Sequence, residues 1–156
     1  MSNTILYDKK IGSKGIVFKE HCEQSDNKKS KDTVKRSLVL CVSIGTNCYR
    51  HIQIGEDKTL IKLHQAIIES INFDDDHLHS FFMNNRIWDE DCEYICPNGE
   101  LSSANDYTDR VKLSKFQLKK GDKFIYVFDY GDEWRFKIEV IDIIVSAMSK
   151  WVLPKI

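Results

Sequence analysis

The chain lacks an apolar run long enough to span a bilayer, and its first residues, MSNTILYDKK, lack the basic-then-apolar start of a secretory signal. The cytoplasm is therefore the expected compartment, with no membrane partner. An excess of one charge is missing too. The 23 Lys and Arg against 24 Asp and Glu leave a formal net charge of -1, so no whole-chain field draws the protein to nucleic acid. Any such contact must be local. The five cysteines, Cys22, Cys41, Cys48, Cys92 and Cys96, are an odd set without framework spacing, which in an unsecreted chain reads as free thiols rather than a disulfide scaffold. The sequence also shows no nucleophile motif, no Gly-rich phosphate loop and no paired metal signature, so no cofactor is expected.

What is present is led by Lys119 to Asp142, KKGDKFIYVFDYGDEWRFKIEVID. Large aromatics fall on every second residue from Phe124 to Tyr130, and the alternation resumes at Trp134, Phe136, Ile138 and Val140. A period of two means strands. Parity then constrains the turn, because a one-residue slip exchanges the two faces. A two-residue Gly131-Asp132 loop would set the aromatics against Arg135 and Lys137. The odd connection Gly131-Asp132-Glu133 pairs Tyr130 with Trp134 and Phe128 with Phe136, with Gly131 supplying a positive φ. The expected buried face is Phe124, Tyr126, Phe128, Trp134, Phe136, Ile138 and Val140.

A second hairpin is expected from Ser37–Gly45, SLVLCVSIG, turning at Gly45-Thr46-Asn47 into Tyr49–Ile54. Thr59 is placed to cap a helix from Leu60 to Ile71, whose Leu60, Leu63, Ile67 and Ile71 recur at helical spacing. His64 stands at the edge of that stripe, as a packed or solvated histidine. A strand follows from Leu78, with His77, His79 and Phe81 on one face. Asp89 to Arg110 shows neither period and reads as a long surface loop. Leu113 to Leu118 reads as one helical turn, and Trp151, Val152 and Leu153 are expected to pack back on the domain.

Three features could carry chemistry. Lys28, Lys29, Lys31, Lys35 and Arg36 make a locally basic stretch, either an arm for phosphates or a solvated linker. Cys92 and Cys96 are close enough in sequence to share a zinc ion if two further ligands arrive from elsewhere. The third is an acidic cluster with histidines. Asp74, Asp75 and Asp76 follow a helix C-terminus that already carries partial negative charge, so something cationic should compensate them: His77, or a bound cation. His77, His79, Asp129 and Asp132 are the candidate metal ligands, and Asp74, Asp75, Asp76, His77, His79, Tyr130, Asp132, Glu133 and Trp134 form the candidate functional surface. The alternative is a structural lock in which these residues cap, turn and hydrogen-bond at strand ends.

Three blocks carry a resemblance: Tyr49-Arg50-His51-Ile52-Gln53-Ile54, Leu60 to His79 with its Leu-x-x-Leu-His helix, and Phe124 to Trp134. In these the chain is similar to the plasmid pRiA4b ORF-3-like family over about Leu38 to Ile143. Phe136 stands where the family commonly has His, and the family's Cys-Pro-Pro-Glu-Asp segment is absent. The resemblance implies an α+β domain and a mobile-element neighbourhood, and it transfers no activity.

The expected architecture is α+β, a mixed sheet of about five or more strands built from two hairpins and covered by one main amphipathic helix. The expected division is a locally basic, partly flexible extension over 1–36 and an α+β domain over 37–156. Without a complete catalytic constellation, the chain reads as a non-catalytic binding or regulatory module with a protein partner. Its alternatives are a metal-dependent hydrolase or nuclease built on the His/Asp cluster, and a nucleic-acid binder working through the 28–36 arm.

Overall fold

The structure is a computed structural model that describes residues 3–7, 16–19, 34–101 and 104–146, with side chains described for the last two ranges. Cys22, Lys28, Lys29, Lys31, Trp151, Val152 and Leu153 lie outside these residues.

The chain forms β1 (Asn3–Tyr7), β2 (Ile16–Lys19), β3 (Lys35–Ile44), β4 (Cys48–Gly55), α1 (Leu60–Ile71), β5 (His79–Phe82), β6 (Glu93–Ile95), β7 (Asp106–Tyr107), β8 (Lys123–Phe128) and β9 (Trp134–Ser146). The strands make one nine-stranded sheet in the order β2-β1-β4-β3-β9-β8-β5-β6-β7. All neighbours are antiparallel except β6 and β7, so the sheet is mixed. The fold is α+β, with a larger sheet than two hairpins imply.

It grows at both ends. At one edge β1 pairs with β4 and carries β2. At the other, the stretch from Asp89 to Arg110 is not a structureless loop: it contributes β6, β7 and a 3-10 turn over Glu90–Cys92. Strands of three and two residues are too short to display a period, so nothing in the sequence separated them from loop.

The β8–β9 register pairs Phe128 with Trp134, Tyr126 with Phe136 and Phe124 with Ile138. The parity is odd, as the apolar pattern demands, but the connection spans 129–133 rather than three residues. A shift of two keeps every side chain on its face. The left-handed positions are Asp129 (φ 58) and Glu133 (φ 48), not Gly131. Asp129 tolerates that conformation because its own Oδ1 accepts from the Gly131 N–H at 2.9 Å. Trp134 consequently stands at the hairpin's mouth, 41% exposed rather than buried, with Phe73 edge-on against it at 5.3 Å.

Residues Leu60 to Ile71 are helical as the periodicity predicts, and the helix ends on Asn72 in the left-handed region (φ 57). Thr59 makes no side-chain cap. The first-turn amides find partners elsewhere: Leu60 and Ile61 donate to the carbonyls of Val111 and Thr108, each at 2.9 Å. Leu60, Leu63 and Ile67 are fully buried in one cluster with Leu38, Ile52, Phe81, Phe124 and Tyr126 of the sheet. Each such side chain stabilises by about 1.5–3 kcal/mol. Among the described residues no helix is long and apolar enough to cross a membrane.

Candidate functional site

His64 lies within the buried stripe of α1, 2% exposed. Its Nδ1 is 2.7 Å from the Tyr126 hydroxyl on β8, and its Nε2 is 2.9 Å from Oδ1 of Asp75, just past the helix end. The Asp75 carboxylate can only accept, so Nε2–H donates to it and Nδ1 takes the Tyr126 O–H. His79 opens β5 and is 3% exposed. Its ring stacks on that of His64, centroids 3.8 Å apart and planes 12° from parallel, and its Nε2 is 2.9 Å from Oγ1 of Thr108.

Burial sets the protonation of both rings. It holds His64 below the ordinary histidine range, against the upward pull of Asp75. Burial, and then the charge His64 would carry, push His79 down to about 2. The pair is neutral at physiological pH. Burial, followed by the charge of Asp75, pushes the Tyr126 hydroxyl above its usual value.

The two rings back onto a cleft of about 460 Å³, whose walls include Ile61, Asp75, Asp76, His77, Cys96 and Asn98. Of the candidate surface read from sequence, the structure gathers Asp75, Asp76, His77 and His79 around this cleft. His77 Nε2 sits 3.4 Å from Asp76, one of the acids after the helix, and 3.5 Å from Asp129 of the β8–β9 connection, while His64 faces Asp75. Asp74 is exposed and lies just before this group. Asp132 and Glu133 stay in the β8–β9 turn: the Asp132 N–H donates to Asp129, and Glu133 pairs with Arg135.

Tyr130 is carried to the opposite side of β5. Ser80 donates to the buried Glu93 at 2.6 Å, so across their 2.5 Å contact the Tyr130 hydroxyl is the donor to Ser80 Oγ, with the His79 carbonyl 3.2 Å from the same hydroxyl. Burial raises the Tyr130 pKa. Strand alternation explains the split, since His79 and Ser80 must face opposite ways.

The four candidate metal ligands do not converge. His77 and Asp129 are close, His79 turns inward to Thr108, and Asp132 is held in the turn. Among the described residues no group of three or more His, Cys, Asp and Glu side chains is placed to hold a metal ion. Cys48, Cys92 and Cys96 are free thiols, and Cys96 is buried beside the cleft. Of the basic stretch, Lys35 and Arg36 are described: Lys35 is exposed at the start of β3, and Arg36 pairs with Glu56 and donates to the Leu118 carbonyl at 2.7 Å.

Sequence reading missed His64, Tyr126 and Thr108 as site residues. The available signal was the histidine closing the Leu-x-x-Leu-His run of the helix, Leu60 to His64. Thr108 sits in a segment without periodicity and left no signal.

Residues 36–155 match the family described as plasmid pRiA4b ORF-3-like protein. No curated protein matches the chain. Among solved structures, the chain is similar to a crystal structure of a protein of unknown function from Methanosarcina mazei Go1, at 24% identity and a TM-score of 0.57. That likeness covers 76% of this chain and 67% of the other, and it speaks to the fold alone.

Proposed function

The chain belongs to the plasmid pRiA4b ORF-3-like family, and from that premise we propose that it is a non-catalytic binding module. It acts in the cytoplasm as an accessory or regulatory factor of a mobile element, and it holds a segment of a protein partner in the cleft beside His64 and His79. One observation carries this reading. Asp75, His64 and Tyr126 are connected like an acid, a base and a nucleophile, yet Tyr126 is 0% exposed. A nucleophile must reach its substrate and benefits from a lowered pKa, whereas burial raises that of Tyr126. The relay therefore supports a wall, and what meets solvent is a polar recess.

Capture from host cytoplasm tests this, comparing the parent with Asn98→Trp, which fills the cleft from an exposed position. The expected result is a partner held by the parent and lost from a variant of unchanged melting temperature. No captured partner, capture indifferent to the substitution, or chemical turnover of the captured molecule would overturn the reading.

A second reading, a metal-dependent hydrolase or nuclease, starts from the contacts of His77 with Asp76 and Asp129, and it needs further ligands because that group is not placed to hold a metal ion as it stands. Elemental analysis of protein purified without an affinity tag decides it. Stoichiometric metal that His77→Ala removes would support the hydrolase, and its absence from the parent would end it.

A further inference from the structure

Resting on that binding reading, we propose that the cleft recognises an ammonium group carried a few bonds from a carbonyl oxygen, as at the amino terminus of a protein partner. The carbonyl accepts from Nδ1–H of His79, and the ammonium is held by the carboxylates of Asp75 and Asp76.

The first support is the placement of one nitrogen. The only hydrogen bond of the His79 ring among the described residues is that of Nε2 with Thr108. No buried polar side-chain atom among those residues lacks a partner. Nδ1 must therefore be reached by solvent although the residue is 3% exposed, and among the described openings the one that His79 lines is the cleft. A nearly enclosed side chain thus presents one unpartnered polar atom to the recess.

The second support is the proton on that atom. Thr108 is fully buried, and its hydroxyl has no other partner among the described residues than His79 Nε2. If Nε2–H donated to Thr108, the hydroxyl proton would be left without an acceptor, which is costly in a buried site. Thr108 therefore donates to Nε2. A neutral ring has one N–H, so it sits on Nδ1 and points a donor into the cleft. The ligand must bring an acceptor to it. A bare metal ion cannot bind a nitrogen that carries a proton.

Charge selects the rest. Asp75 and Asp76 are exposed acids on the wall, and the stacked rings of His64 and His79 are neutral. An anionic acceptor such as a carboxylate or phosphate would be repelled, which leaves a neutral carbonyl. A cationic amine beside that carbonyl meets the acids. The free amine and first carbonyl of a peptide supply both groups, and about 460 Å³ admits the terminal residues of a chain.

The test is a long-range proton–nitrogen NMR spectrum of the full chain with labelled histidine, followed by titration. His79 is expected to carry its proton on Nδ1 and His64 on Nε2. Glycinamide should shift His79 Nδ1–H saturably, with acetamide, ethylammonium and acetate each at least about tenfold weaker. Triglycine amide binding more tightly than glycinamide assigns the source to a peptide. Glycinamide binding as well as triglycine amide assigns it to a small amino amide and overturns the partner-terminus assignment. Asp76→Asn should weaken glycinamide about tenfold while leaving both tautomers unchanged. Overturning results are a His79 proton on Nε2, no response of His79 to glycinamide, equal binding of acetamide or acetate, or Zn²⁺ displacing the Nδ1 proton. A chain that captures a partner in the Asn98→Trp comparison yet ignores glycinamide refutes this ligand class and leaves the binding reading intact.

Discussion

His79 is a strand residue spent on neither packing nor titration in the ordinary way: it is enclosed, stacked on a second imidazole and held neutral. Its effect on stability has a definite sign. In the unfolded chain the ring titrates near 6.5, whereas in the folded chain it stays unprotonated down to about 2. Its contribution is complete above 6.5 and is lost as pH falls below it, because only the unfolded state then takes the proton. The loss is on the order of 1.4 kcal/mol for each pH unit. His79→Gln should flatten this decline, read as the slope of melting temperature between about pH 6.5 and 4. An equally steep slope in the variant contradicts the burial argument. At this scale the sequence was half legible. Asp75 stood out as one of three acids after a helix C-terminus and His79 as one of two alternate histidines on a strand, but nothing in the order of residues said that His64 would meet them, since helical spacing places it only near the stripe and its hydrogen-bond partners are 11 and 62 residues away.

At the scale of elements, the β8–β9 hairpin shows what alternation can and cannot determine. Parity put Phe124, Tyr126, Phe128 and Phe136 on one buried face, and all four are buried. Loop length did not follow, because two odd connections give the same faces and the choice between them lies in Asp129, which folds its own carboxylate over the turn. Asp129→Ala removes that acceptor and leaves a left-handed alanine, an expected loss of about 1–3 kcal/mol by denaturant titration. A loss smaller than that of an exposed control such as Asp132→Ala would show the turn to be held by other means. Phe128→Ala, at a side chain 2% exposed and touching Phe73, His64 and His77, should cost about 3–5 kcal/mol, and an unchanged thermal melt would refute its core role. The helix was legible end to end because twelve residues carry more than three turns of period, whereas β6 and β7 carry none.

For the whole molecule, the centre of the sheet is the long β3–β9 pairing, reaching from Lys35↔Ser146 to Ser43↔Lys137. It joins two hairpins far apart in sequence, and this non-local join is what the separate patterns did not reveal. The segment after β7 performs a similar joining task at the cleft. Thr108 and Val111 receive the first amides of α1 through their carbonyls, and the same Thr108 reaches His79 with its hydroxyl. A helix start and a wall of the recess therefore hang on one short piece of chain. In hydrogen–deuterium exchange this makes the amides of Leu60 and Ile61 reporters on the recess: any opening that lifts residues 108–111 frees them together, so they should exchange at one common rate. A molecule seated against His79 should slow that rate, far along the helix from the acids it touches.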